Sequence, residues 1–130
     1  QPDLIAHFAR MTRVYTHLAP YLKALGEAAR DRGTPVQRPL FLHHEDDPRC
    51  YEIQDQYLYG PDLVVAPVHQ AGKNEWTSYL PAGREWVHLW SGQSYSGGAE
   101  VTMPAPFGEP PVFYGADSDW VELFRTVPKA

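Results

Sequence analysis

Residues 33–68 read GTPVQRPLFLHHEDDPRCYEIQDQYLYGPDLVVAPV, and this stretch decides the fold. The apolar run at residues 36–42 lies between turn residues and predicts a buried strand, although Pro39 cannot donate to a central ladder. The run at residues 63–68 is similarly rich in apolar residues and predicts a second strand. The stretch therefore predicts two strands joined by a polar connection.

The connection carries the start and stop signals of a helix. Asp47 before Pro48 matches an N-cap followed by proline at the first helical position. Gly60 followed by Pro61 is a stop signal, because glycine ends helices and proline cannot continue them. We predict a helix between Asp47 and Gly60.

A cluster of polar residues, HHEDD at residues 43–47, follows the first predicted strand. Carboxylates and imidazoles at the C-terminal end of a strand are where barrel enzymes place their chemistry. Glu45, Asp46 and Asp47 are sequence neighbours, however, whereas glycosidase carboxylates lie on opposite sides of the scissile bond. We expect Asp47 to cap the helix and the other two to be solvated or ion-paired.

His43 and His44 point to opposite faces if the strand continues through them, so at most one faces inward. A hydrogen-bonded, structural His43 is expected, and a place beside a substrate is the alternative. A zinc site from His43, Asp47 and the distant His69 is not expected, because nothing in the sequence brings His69 to the other two.

The N-terminal region carries a helical pattern of apolar residues at alternating steps of four and three. They are Leu4, Phe8, Met11, Tyr15, Leu18, Leu22, Leu25 and Ala29. This pattern predicts an amphipathic helix packed on a sheet. A coiled coil is disfavoured by Pro20 and Gly26, and Pro20 should divide the helix near Ala19. Gly33 is placed to cap its end.

After Gly60 and Pro61 the chain has short runs rich in Val, Tyr, Trp and Phe, separated by turn residues. This pattern is typical of an antiparallel sandwich or barrel. The predicted strands cover residues 63–68, 75–80, 86–90, 99–103 and 111–114. A last helix is predicted at residues 117–124, with Ser118 as its cap and with Trp120, Leu123 and Phe124 facing inward.

Composition limits the possible functions. With 43% hydrophobic and 13% aromatic residues the chain can fold around a core, so disorder is not expected. A formal charge of -5, with only 11 scattered Lys and Arg residues, argues against nucleic-acid binding. No apolar run is long enough to cross a membrane. Cys50 is the only cysteine, which excludes an intramolecular disulfide and favours a cytoplasmic location.

Motifs for acyl and phosphoryl transfer do not occur, since the sequence has neither a serine nucleophile elbow nor a phosphate loop. Four tryptophans could form a platform for stacking on sugars, namely Trp76, Trp86, Trp90 and Trp120. Core packing is the favoured interpretation, because alternation along strands turns most of them inward.

Several further motifs occur in a fixed order along the chain. They are Arg38-Pro39-Leu40-Phe41, Asp55-Gln56-Tyr57-Leu58-Tyr59-Gly60, Asp62-Leu63-Val64-Val65-Ala66-Pro67-Val68, Tyr79-Leu80-Pro81, residues 86–92, Gly97-Gly98 and Pro111-Val112-Phe113. Together they resemble glycoside hydrolase family 31, the α-glucosidase and α-xylosidase family. Within it, LHHEDD at residues 42–47, WVH at 86–88 and PVFYGADSDW at 111–120 are most similar to bacterial sulfoquinovosidases. General α-glucosidases usually have an arginine where Gly115 stands.

The resemblance implies an α+β piece of a larger enzyme. Residues 1–60 would hold the last helices and the final strand of a (β/α)8 TIM barrel, and residues 61–130 an antiparallel β-sandwich domain. Beginning at Gln1 and entering a helical pattern at once, the chain is expected to be the C-terminal portion of a longer protein.

The resemblance also implies an activity, that of a retaining α-glycosidase acting on small-molecule glycosides, first of all α-sulfoquinovosides, without a cofactor. The family's aspartate nucleophile and aspartate acid/base lie upstream, so no catalytic residue is expected in this chain. His43 and Asp46 are expected beside the substrate at the barrel rim, and the remainder of the same enzyme is the expected partner. The alternatives are an α-glucosidase or α-xylosidase of the same family, or a non-catalytic β module that binds carbohydrate or a partner.

Overall fold

The computed structural model describes residues 2–129, and it begins with two consecutive helices. Helix α1 covers Pro2–His17 and helix α2 covers Ala19–Arg32. They are divided at Leu18 because Pro20 lies in the first turn of α2, where its missing N–H loses no hydrogen bond. The predicted division is confirmed, as is the left-handed cap at Gly33. Within the described residues, no helix is both long and apolar enough to cross a membrane.

The predicted single apolar stripe is divided between two faces. One part packs onto the sheet, namely Met11, Leu18, Leu22 and Leu25. The other part points away from it, namely Leu4, Phe8 and Tyr15, which are 57%, 73% and 68% exposed. The face that packs onto the sheet therefore includes residues of both α1 and α2, and α1 has in addition an exposed apolar side.

Eight strands follow the helices. They are β1 (Gln37–Arg38), β2 (Tyr57–Tyr59), β3 (Leu63–Val65), β4 (Glu75–Leu80), β5 (Glu85–His88), β6 (Ser94–Ser96), β7 (Ala99–Pro104) and β8 (Val112–Gly115). Six form one sheet in the order β1-β2-β3-β8-β5-β6, and β4 and β7 form a separate ribbon. Every strand pairing within residues 2–129 is antiparallel. The α+β class with antiparallel sheets is thus confirmed.

The core has two layers, one on each face of the six-stranded sheet. Leu63 and Tyr114 are paired neighbours that pack against the helices. Val64 and Phe113, the next pair along, belong to the other layer, together with Leu80 of the ribbon. Alternation along β3 and β8 therefore joins the helices to one face of the sheet and the ribbon to the other.

The strand predicted at residues 36–42 is much shorter than expected. Only β1 is extended, and after Pro39 the chain forms a 3₁₀ helix at Leu40–Leu42. Proline has no N–H for a ladder, so pairing ends there. Strand β1 pairs antiparallel with β2, Gln37 lying opposite Tyr59. It therefore does not have the parallel neighbours of a final barrel strand within residues 2–129.

The helix predicted between Asp47 and Gly60 is wrong, although its cap is right. Only a 3₁₀ helix at Pro48–Tyr51 forms, and residues 57–59 belong to β2. Leu58 is fully buried in the core between sheet and ribbon. Burial of this side chain in a strand outweighs the start and stop signals that predicted a helix.

The predicted division into residues 1–60 and 61–130 falls in the turn between β2 and β3. Gly60 has a φ of 64° there, and its N–H donates to Val36 O at 2.7 Å. Strands from both sides of the turn share the six-stranded sheet.

The predicted strands after residue 61 all form, and β4 has the predicted bounds. Strand β6 was not predicted, because Ser94–Ser96 has no apolar run. The last helix, α3 (Val121–Arg125), is shorter than predicted. Its N-cap is Trp120, without a side-chain cap, so the prediction of Ser118 as the cap is wrong. Ser118 instead accepts a hydrogen bond from Trp120 N at 3.0 Å in the turn before the helix. Phe124 is fully buried, so the inward face is confirmed.

Candidate functional site

A polar cleft of about 550 Å³ lies beside the HHEDD cluster at residues 43–47. One wall is the segment at residues 43–47, and the other is the turn at residues 82–84. Pro61 and Asp117 complete the lining. The structure thus brings all five polar residues of the HHEDD cluster to one cleft, together with Arg84 and Asp117, which are distant in sequence.

Asp47 fastens the two walls to each other. One carboxylate oxygen accepts from Arg49 N at 3.1 Å, which is the predicted cap. The other accepts from Ala82 N at 2.8 Å and from the Tyr79 hydroxyl at 2.6 Å. Desolvation raises the pKa of Asp47, but these bonds to its charged form outweigh desolvation and hold the pKa below its ordinary value. The carboxylate is therefore ionised, saturated with donors and structural.

His43 is held as a neutral ring. Arg38 Nη1 lies 2.8 Å from His43 Nε2, and because a guanidinium only donates, Nε2 accepts and the proton is on Nδ1. Desolvation, then the charge of Arg38, lowers the pKa of His43. The expected hydrogen-bonded histidine is what the structure shows.

His44 also lines the cleft, and its ring packs against Trp86 with ring centroids 5.7 Å apart. Desolvation and the nearby charge of Arg84 lower its pKa, so this ring is also neutral at pH 7. The two histidines do not alternate across a strand, because the chain has left the sheet at Pro39.

Glu45 and Asp46 are exposed, and within residues 2–129 their carboxylates make no hydrogen bond or ion pair. Tyr51 donates to the backbone oxygen of Glu45 at 3.0 Å, which fixes the chain but leaves the side chain free. Of the two outcomes expected for these carboxylates, solvation is the one that occurs.

Arg84 was missed in the sequence, and it is the charged centre of the opposite wall. Its Nη2 donates to Asp62 at 2.6 Å, its Nε to Asp117 at 2.5 Å and its Nη1 to Pro61 O at 3.0 Å. Desolvation lowers the pKa of Arg84, and the two carboxylates outweigh it and raise the pKa. No sequence signal marked Arg84, because its partners lie 22 to 33 residues away.

The tryptophans do not form an exposed platform. Trp86 is fully buried and donates to Pro81 O at 3.0 Å. Trp90 donates to Pro110 O at 2.8 Å, and the Trp120 ring packs edge-on to Tyr21. Trp76 is also only partly exposed. Core packing, the favoured interpretation for most of them, is confirmed for Trp86, Trp90 and Trp120.

Three of the charged groups that line the cleft, Asp47, Arg84 and Asp117, are already engaged with partners, whereas Glu45 and Asp46 are free within the described part of the chain. The buried carboxylate is saturated, the arginine is paired with two carboxylates, and both histidines are neutral at pH 7. Residues 2–129 contain no group of three or more possible metal ligands. Burial raises the pKa of the Cys50 thiol to about 12, so it is no nucleophile at neutral pH. The arrangement can present neutral imidazole and solvated carboxylates to hydroxyl groups.

Comparison with known proteins gives consistent matches. The chain matches the model described as the glycosyl hydrolase family 31 C-terminal domain over residues 33–118. It is 56% identical to the sulfoquinovosidase of Agrobacterium fabrum over 122 residues, which is 94% of this chain and 18% of that protein. It is 54% identical to the sulfoquinovosidase of Escherichia coli over 125 residues, covering 96% of this chain and 18% of that protein.

A solved structure agrees with these sequence matches. A sulfoquinovosidase of the family from E. rectale, in complex with an aza-sugar inhibitor, superposes with a TM-score of 0.94 at 46% identity. The match covers 98% of this chain and 19% of that one. Proteins described as α-glucosidase or α-xylosidase match at lower identity. The chain thus spans about a fifth of the length of these relatives.

Proposed function

This chain belongs to glycoside hydrolase family 31, and from that membership we propose that it is the C-terminal part of a retaining α-glycosidase that releases sulfoquinovose from its α-glycosides. The observation that carries the proposal is identity above one half to two sulfoquinovosidases along nearly the whole chain. Relatives with other substrates match less closely, which favours sulfoquinovosides over glucosides or xylosides.

The reaction would follow the retaining mechanism. One carboxylate attacks the anomeric carbon and forms a covalent glycosyl-enzyme intermediate, while a second carboxyl group protonates the leaving oxygen and then activates water. This mechanism requires no cofactor. Both groups would come from the part of the enzyme upstream of this chain, since the cleft carboxylate with the most contacts, Asp47, is saturated by donors.

His43 and Asp46 are proposed to lie beside the substrate at the rim of the barrel. Both line the polar cleft, and both keep polar atoms free to meet a hydroxyl group. His43 presents its Nδ1–H, and Asp46 presents an exposed carboxylate. An N–H donor and a carboxylate acceptor suit hydroxyl groups, because a hydroxyl both donates and accepts hydrogen bonds.

The charges that line the cleft do not favour binding of the sulfonate group of sulfoquinovose. The arginine lining it, Arg84, is neutralised by Asp62 and Asp117, and Glu45 and Asp46 add unpaired negative charge. A sulfonate placed here would meet carboxylates at short range, which is repulsive. Its binding residues are therefore proposed to lie upstream.

The exposed side of α1 is proposed as the contact with the remainder of the enzyme. Leu4, Ile5, Phe8 and Tyr15 are each more than half exposed on one short helix. A contiguous apolar surface of this kind marks an interaction site. We propose that the upstream part of the same polypeptide covers this surface, because about four fifths of each relative's length lies outside the matched region.

Two further statements belong to this proposal. The division of the whole enzyme into a barrel ending at residue 60 and a β-sandwich domain from residue 61 stays a prediction. A cytoplasmic location also stays a prediction, and it is supported by the single cysteine.

A substrate panel tests the proposal on the full-length enzyme. We expect kcat/KM for 4-nitrophenyl α-sulfoquinovoside to exceed that for the α-glucoside and the α-xyloside by about a hundredfold or more, because a site built for a polar group rejects the analogue that lacks it. The first sugar released should have the α configuration. Preference for the plain glucoside or xyloside would establish the alternative specificity. Sugar affinity of the isolated chain, without hydrolysis by the full-length protein, would favour the binding module.

A further inference from the structure

We propose that Arg84 is a positioning residue of the glycosidase: seated on Gly115, its guanidinium fixes the turn at residues 81–83 and thereby the wall of the polar cleft that faces His43 and Asp46. This inference rests on the proposed function, because it assigns the cleft to the rim beside the substrate. It adds a residue pair, Arg84 and Gly115, that the sequence motifs did not connect with the cleft.

The Arg84 guanidinium occupies the space that a side chain at position 115 would fill. A Cβ added there would lie 2.0 Å from Cζ of Arg84 and 2.2 Å from its Nε and Nη2. Gly115 is in strand β8 and does not have a positive φ, so its backbone would accept other residues. Space for the guanidinium is therefore the reason for glycine at this position.

The guanidinium is held in one plane by three acceptors in different directions. They are the carboxylates of Asp62 and Asp117 and the backbone oxygen of Pro61. The Arg84 side chain is 16% exposed. Only the fork of an arginine offers donors in such a fixed arrangement, so lysine would not replace it.

The held guanidinium in turn fixes the cleft wall. Arg84 follows Gly83 directly and lies 5.1 Å from the ring centroid of Trp86. Trp86 donates to Pro81 O, and Ala82 N donates to Asp47 of the opposite wall. The turn is thus held by contacts at Pro81, Ala82 and Arg84. Of these three residues, Arg84 also bonds to the β2–β3 turn and to the segment after β8.

Arg10 offers a matched comparison elsewhere in the molecule. It pairs with Glu109 at 2.7 Å with a side chain 10% exposed, and it lies 5.0 Å from the ring centroid of Trp90. Its surroundings therefore resemble those of Arg84, but it joins α1 to the loop before β8 and does not line the cleft. Loss of either arginine removes a buried ion pair and an aromatic contact.

The experiment compares Arg84→Met and Arg10→Met in the full-length enzyme, with steady-state kinetics on 4-nitrophenyl α-sulfoquinovoside. Both variants should lower Tm. Only Arg84→Met should raise KM, by about fivefold, with kcat within about twofold, because the wall contributes to binding and not to bond cleavage. Equal KM values in the two variants, or a fall in kcat alone, would overturn the proposal.

A second measurement keeps the proposal testable whatever the activity. Hydrogen exchange of the Ala82 amide should quicken in Arg84→Met and in Asp117→Asn, and stay unchanged in Arg10→Met, since a loosened turn opens more often. Asp117 is 74% exposed, so its substitution should leave folding intact if Arg84→Met does not fold. Unchanged exchange in both cleft variants refutes positioning by Arg84. A wild-type enzyme inactive on every α-glycoside refutes the proposed function instead.

Discussion

The hydroxyl of Tyr79 donates to the carboxylate of Asp47 at 2.6 Å, joining ribbon strand β4 to the polar segment that precedes the Pro48–Tyr51 helix. The two residues are 32 positions apart. This bond, together with those from Ala82 and Arg49, explains why a carboxylate in an exposed polar run is itself buried. It also makes the cleft a preformed feature of the fold.

Removing the hydroxyl should therefore destabilise the protein. Tyr79→Phe leaves the buried carboxylate short of one donor, and a bond to a charged group contributes about 2 kcal/mol. Tyr95→Phe is the control, because Tyr95 donates to Gln93 at an exposed site. Urea unfolding should show a loss below about 0.5 kcal/mol for the control. Equal losses of unfolding free energy in the two variants would mean that the bond to Asp47 contributes no more than an exposed hydrogen bond.

The same carboxylate predicts a dependence of stability on pH. The pKa of Asp47 is lower in the folded protein than its ordinary value near 3.9, so the unfolded chain binds its proton first as pH falls. Its contribution is complete above about pH 5 and is lost as pH falls through the folded pKa. The stability difference between wild type and Asp47→Asn should be largest at pH 7 and shrink towards pH 3. A difference that is constant with pH would contradict this.

Replacing Gly60 should be costly for two reasons, its positive φ and the close approach of other atoms. Gly33 shares only the first reason, so comparing the two glycines separates the two effects. The φ of Gly60 is 64°, and an added Cβ there would lie 2.2 Å from the Tyr21 hydroxyl oxygen and 2.6 Å from Leu25 Cδ2. Gly33 has a similar φ of 71° but open space around it. Gly33→Ala should cost about 1 kcal/mol of conformational strain, and Gly60→Ala at least about 2 kcal/mol more through overpacking. Similar unfolding free energies for the two variants would show that the close approach is relieved without cost.

The sequence predicted the parts of the fold that depend on local signals. The break at Pro20, the cap at Gly33 and the bounds of β4 follow from residues within a few positions of each feature. The segment at residues 52–59 did not follow local signals, because Leu58 is buried against distant parts of the chain. A start signal and a stop signal cannot report such a contact.

The candidate site shows the same distinction. The cap at Asp47 was readable from Asp followed by Pro, but its bonds to Tyr79 and Ala82 were not. Arg84 was missed because only the folded chain brings Asp117 to it. The family motifs identified the family, because they extend along nearly the whole chain, while the contacts of each polar residue required the structure.

The exposed side of α1 predicts the behaviour of the chain alone. With Ile5 and Phe8 70% and 73% exposed, the isolated 130-residue chain should self-associate. Ile5→Lys with Phe8→Lys should give a monomer by size-exclusion chromatography with light scattering. Leu25→Lys is the control, because it charges the core and should unfold the chain. A monomeric, cooperatively unfolding wild-type chain would contradict the assignment of α1 to an internal contact.

The proposal that this part of the enzyme supports the rim and does not cleave the bond is tested most directly by removing the two free carboxylates of the cleft. The full-length enzyme carrying Glu45→Gln and Asp46→Asn should keep kcat on its α-glycoside within about threefold of wild type, because the nucleophile and the acid/base are proposed to lie upstream of this chain. A fall in kcat of about a thousandfold, with the fold intact by circular dichroism, would place a catalytic carboxylate in this chain and contradict the account.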